Sequence, residues 1–207
     1  MFKAATPLPS TFNVPVRRDA RLPTHVLAVS SAPDSECLMV PIHSDLFMKT
    51  FRVNILPPSM PGRSSPSSNS NRSHRKVLAL PVVPVLVPHV ASIPLLLLFG
   101  FGLETQTNLL AWRLLPPQVI EEFPNAAAMA QVMARICSEE QLQRCVAHNQ
   151  GLWKNILALG LRDSTIVELV QTAWNVTADA RRIRQRAWGP SPPGSQSWQA
   201  ASQLSHS

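Results

Sequence analysis

Leu115-Pro116-Pro117-Gln118-Val119-Ile120-Glu121-Glu122-Phe123-Pro124, answered downstream by Gly151-Leu152-Trp153-Lys154-Asn155-Ile156-Leu157, is the stretch whose reading decides the fold of this 207-residue chain. Proline at the first helical position gives up only an N–H that would be unbonded anyway, so Leu115-Pro116 starts a helix well. Val119, Ile120 and Phe123 follow Pro116 at spacings of three and four and can share one face. Asn125 suits the N-cap of a helix over 126–137, with Met129, Val132, Met133 and Ile136 as its apolar stripe. Ser138 with Gln141 three residues on is a capping box. It opens a second helix carrying Leu142, Cys145 and Val146, and a third carries Leu152, Trp153, Ile156 and Leu157 and ends at Gly160.

Outward from this block the pattern stays helical on the C-terminal side. A helix starts near Ser164, with a capping box in Thr165 and Glu168, and buries Ile166, Leu169, Val170 and Ala173. Thr177 is the expected cap of a last, basic helix ending at Trp188, and residues 189–207 form a Pro/Ser-rich tail expected to be mobile. On the N-terminal side Leu109, Leu110 and Trp112 suit a short helix, so the helical domain is drawn over 104–188.

Residues 77–103 contain no Asp, Glu, Lys or Arg, and about 20 apolar residues suffice to cross a bilayer. Pro81, Pro84, Pro88 and Pro94 argue against one continuous helix, since each removes a hydrogen bond and clashes with the preceding turn. The expectation is a buried strand or turn of helix ending at Gly100 and Gly102, with peripheral membrane attachment as the alternative. Residues 61–76, Ser-rich and basic, read as a linker. Residues 1–60 read as loosely built and partly β. In them Phe47, Phe51, Val53 and Ile55 alternate as on a half-buried strand, and Cys37 to Ile42 make a second strand that Pro41 weakens. The fold class is therefore mainly α, behind a Pro/Ser-rich, partly β N-terminal region.

Nineteen basic against twelve acidic side chains give a net charge of +7 and favour acidic partners. Three cysteines cannot build a disulfide framework, and an odd count suits a reducing compartment. Met1 to Ser10 holds two prolines and no apolar run, so no signal peptide is expected. Cys137, Cys145 and His148 lack the paired spacing of a zinc site, and buried apolar-face cysteines are the expectation instead. No nucleophile elbow, phosphate loop or zinc-protease motif occurs, so neither catalysis nor a cofactor is expected. Arg181, Arg182, Arg184 and Arg186 form either a solvated helix face or an RNA-binding patch; only Trp188 stands among them for base stacking.

The order of features resembles a family. Ile93-Pro94-Leu95-Leu96-Leu97-Leu98-Phe99-Gly100 comes first, then Leu115-Pro116-Pro117-Gln118-Val119 and the helical block with Trp153. Gly160-Leu161-Arg162-Asp163, a helix with Trp174 and the Arg-rich helix follow. Leu-Pro, two aliphatics, two helices and Leu-Trp-Lys is the skeleton of an F-box, and the whole is similar to the F-box-like silencing suppressors of plant poleroviruses. The resemblance implies an F-box-like multi-helix domain acting in the host cytoplasm, with the nucleus and endomembrane surfaces as further locations. It would link the SKP subunit of a host ubiquitin ligase to ARGONAUTE, which is then degraded. Leu115 and Pro116 carry over as SKP contacts. Val119 stands where the minimal motif has Leu or Ile, and Ile120 can substitute by a small rotation. Leu152 and Trp153 carry over as the structural tail of the F-box. Trp188-Gly189 resembles the short hooks that enter ARGONAUTE pockets. A basic suppressor that sequesters small RNA duplexes, and a membrane-associated protein using residues 77–103, are the alternative functions.

Overall fold

Ahead of residue 88 the chain is rich in proline and β-branched residues and builds a sheet; behind it, alanine, leucine and few prolines build helices. The computed structural model describes residues 8–16, 22–33, 35–56 and 76–188. In order these form β1 (Thr11–Val16), β2 (His25–Ser30), β3 (Leu38–Ile42), α1 (Ser44–Thr50) and β4 (Lys76–Leu86). A 3-10 turn (Val90–Ser92) leads into α2 (Ile93–Gly100), α3 (Thr107–Leu114), α4 (Pro117–Ile120), α5 (Ala126–Ile136), α6 (Glu139–Leu159) and α7 (Ser164–Trp188).

The strand order is β1-β4-β2-β3. The first half of β4, up to Pro81, pairs antiparallel with β1, and the second half, from Val82, pairs parallel with β2. Each half therefore has a ladder on one side only. That is how one strand holds Pro81 and Pro84, which cannot donate to a second neighbour. Every residue of β2 is buried. The apolar run expected to be a buried strand or a helical turn is both: β4 takes its first part and α2 its last, with Pro94 in the first turn of the helix. No described helix is long and apolar enough to cross a membrane.

Several expectations are corrected. The alternation at Phe47–Ile55 is no strand, because Ser44, Phe47 and Thr50 recur at helical spacing and build α1. Phe47 and Phe51 stack with ring centroids 4.8 Å apart, a contact that the i,i+4 geometry supplies. The region expected to be loose holds three of the sheet's four strands. The linker expected over 61–76 lies outside the described residues apart from Lys76. The breaks expected before Leu152 and at Thr177 do not exist, α6 and α7 each being continuous. Thr177 is fully buried inside α7, where its hydroxyl donates to the Trp174 carbonyl at 2.9 Å. The start of α7 is tied not by Thr165 and Glu168 but by Asp163, whose carboxylate accepts from the Ile166 amide at 3.1 Å.

One hydrophobic core runs from β2 to α7. Sheet and helices are joined at the end of α1: the Arg52 amide donates to the Gly160 carbonyl (3.0 Å) and the Arg162 amide to the Thr50 carbonyl (3.0 Å). The Thr50 hydroxyl donates to the Gly100 carbonyl at 3.2 Å. Gly160 can cap α6 because its φ of 65° is a conformation open to glycine.

Candidate interaction site

The turn between α3 and α4 is set by its backbone. Leu115 and Pro116 are extended, and the Pro116 carbonyl accepts from the amides of Val119 (3.0 Å) and Ile120 (3.2 Å). One residue earlier, the Leu114 carbonyl accepts from Asn149 Nδ2 at 3.0 Å, which pins the turn to α6. The consequence for the four residues expected to contact SKP is a split. Leu115 is 5% exposed and Val119 0%, so both are spent in the chain's own core. Pro116 and Ile120 are half-buried. Phe123 continues their four-and-three spacing and is 66% exposed, while Trp112 on α3 is 56% exposed. Glu121 and Glu122 flank this apolar edge in solvent. Leu152 is buried in α6 and Trp153 half-buried beside the core.

Sequence reasoning missed the polar centre of α6. Asn155 Nδ2 donates to the His89 carbonyl (2.6 Å) and to Ser92 Oγ (2.9 Å), while its Oδ1 accepts from the His89 amide (3.1 Å). The corner between β4 and α2 is thus stapled to the helix. The His89 ring meets the His148 ring edge-on at 6.3 Å, and Gly151 gives it room: a Cβ there would overlap the imidazole. Burial, and to a lesser degree His89, hold His148 below its ordinary pKa. The signal was present in the apolar stripe Leu142, Val146, Leu152 and Ile156, which has Asn149 inside its helical spacing.

The arginines of α7 do not act as one basic face. Arg184 folds inward, its guanidinium donating to the Ala134 carbonyl (3.1 Å) and the Cys137 carbonyl and pairing with Glu139 at 3.2 Å. It thereby satisfies carbonyls at the end of α5 that have no helical partner. Arg182 pairs with Asp179 at 2.7 Å in solvent; Arg181 and Arg186 are exposed. Trp188 ends α7, and Gly189 lies outside the described residues. Burial raises the pKa of Cys137 and Cys145 above the ordinary thiol value, which keeps them protonated. Among the described residues no group of His, Cys, Asp and Glu could hold a metal ion.

The division into sheet and helices has a counterpart among known families. A model of the Clampless protein 1 N-terminal domain matches residues 2–88, and one of the Clampless protein 1 C-terminal domain matches residues 107–206. The chain is similar to Clampless protein 1 in both of its domains. The first match ends just after β4 and the second begins at the first residue of α3, leaving the 3-10 turn and α2 between them. Neither match names an F-box or a silencing suppressor. No curated protein and no solved structure matches the chain.

Proposed function

We propose that the chain is a non-enzymatic adaptor that docks a partner protein on the α3–α4 edge. The observation that carries this reading is the exposure of Phe123, next in spacing to Pro116 and Ile120, on a turn that the core holds rigid from beneath. Aromatic anchors on a preorganised support are what concentrate binding energy at protein interfaces. In its specific form the adaptor is F-box-like. SKP is then the partner on this edge, ARGONAUTE is the protein delivered for degradation, and the outcome is suppression of RNA silencing. The Leu115-Pro116 start and the Leu152-Trp153 pair at F-box distance support that form. Burial of Leu115 and Val119 moves the contact set to Pro116, Ile120 and Phe123. Sequestration of small RNA has less support, because Arg184 and Arg182 are already paired.

Titration of SKP into the full chain tests the specific form. The parent should bind, and the F123A variant, truncated at an exposed side chain, should bind at least about tenfold more weakly with an unchanged melt. A folded parent that does not bind SKP would remove the F-box form. A steep fall of RNA affinity with salt in the same preparation would instead mark phosphate-driven binding.

A further inference from the structure

Where α5 ends against α7 there is an open groove of about 470 Å³, lined by Gln131, Ala134 and Arg135 of α5 and Ile183, Arg184 and Ala187 of α7. Spacings of three and four residues on each helix align these side chains along one furrow. Its walls are fixed, because Arg184 donates to the Ala134 and Cys137 carbonyls and pairs with Glu139. A preformed groove spares its occupant the cost of ordering the site.

The charges of the groove have one sign: no carboxylate lines it. Arg184 is spent on the wall. Arg135 is exposed, and so is Arg186, three residues on from Ile183 and on the same side of α7. The ion pairs among the described residues are Arg182–Asp179 and Arg184–Glu139, which leaves Arg135 and Arg186 unpaired. The floor is apolar, made by Ala134, Ala187 and Ile183, the last 37% exposed.

That combination selects among acidic partners. A nucleic-acid strand needs aromatic side chains on which its bases stack, and none lines the groove. Phosphate contacts alone would also leave the isoleucine uncovered. A peptide can cover it with one apolar side chain and give its carboxylates to the guanidiniums, whose planar fork fits a carboxylate with two parallel hydrogen bonds. The net charge of +7 draws such a segment in.

We propose that this groove docks an acidic segment of a partner protein, with one large apolar side chain on Ile183 and Ala187 and carboxylates on Arg135 and Arg186. The groove shares no residue with the α3–α4 edge, so it stands apart from the reading of that edge.

A phage-displayed library of random short peptides, selected on the immobilised full chain, tests this. Enriched peptides should carry Asp or Glu close to a large apolar residue. Synthesised singly, they should bind R135E and R186E at least about tenfold more weakly than the parent, with the gap narrowing at high salt. F123A should bind them like the parent. Both arginines are exposed and unpaired, so neither reversal should change the melt, and I183S should weaken binding with every charge kept. A selection that yields no acidic-apolar peptide would overturn the proposal, as would peptides that R135E and R186E hold as tightly as the parent. A fluorescent oligouridylate held by the parent and released by R135E and R186E would make the groove a phosphate site and overturn it equally.

Discussion

Gly151 illustrates how a single residue is chosen by its neighbour. Alanine in place of a mid-helix glycine ordinarily stabilises by about 1 kcal/mol. Here the added methyl overlaps the His89 ring, whose backbone Asn155 holds on both sides. The sign should therefore reverse: we expect G151A to lose about 1–3 kcal/mol, an overpacking cost read from denaturant unfolding. His148 beside it gives a pH dependence. Its folded-state pKa is lowered, so below about 6.5 the unfolded chain binds a proton that the folded chain resists. Stability should be level above pH 7 and fall as pH drops from about 6.5 through the lower folded value. His25, also held low by burial, adds to the same fall. In H148Q the decline should be shallower, as equilibrium unfolding across pH 5–8 will show. Leu115 and Phe123 make a third pair of expectations. Truncating buried Leu115 to alanine should cost about 2–5 kcal/mol, whereas F123A at an exposed site should stay within about 0.5 kcal/mol.

At the scale of elements, the legible parts were those whose signals are local. Asn125 does cap α5, its side chain accepting from the Ala128 amide, and Ser138 with Gln141 does form the capping box of α6. Both ends are decided by residues within four positions, so the sequence alone contains them. The false breaks have the opposite origin. His148-Asn149-Gln150-Gly151 looks like a break between helices until residues distant in sequence are in place, with the Leu114 carbonyl accepting from Asn149 and the His89 ring packing against His148. Thr177 looks like a cap until burial and the Trp174 carbonyl explain it. The prolines of β4 look like interruptions because nothing local says that the strand changes partner at residue 82. At the candidate site, Pro116 and Ile120 were legible from spacing, but which of the Leu115–Phe123 side chains face outward depends on α6. The true cap of α7 gives a direct check: D163A should cost about 1 kcal/mol, measured by thermal melting, with T165A closer to neutral.

At the scale of the whole molecule, the sheet and the helices share one core, backbone bonds join the end of α1 to the α6–α7 turn, and the Thr50 hydroxyl joins α1 to α2. A partner docked on the α3–α4 edge would therefore sit on a well-supported surface, because Asn149 connects that edge to α6 and Asn155 connects α6 to the corner between β4 and α2. An adaptor of this kind requires that edge to be a docking surface and not merely the exposed rim of a core. The most direct measurement is a calorimetric titration of SKP against the parent and F123A, with far-ultraviolet circular dichroism and melting recorded for both. Binding by the parent, weakened at least about tenfold in a variant that melts like it, is the predicted result. Equal binding by the two folded proteins, or none by the parent, would contradict the account.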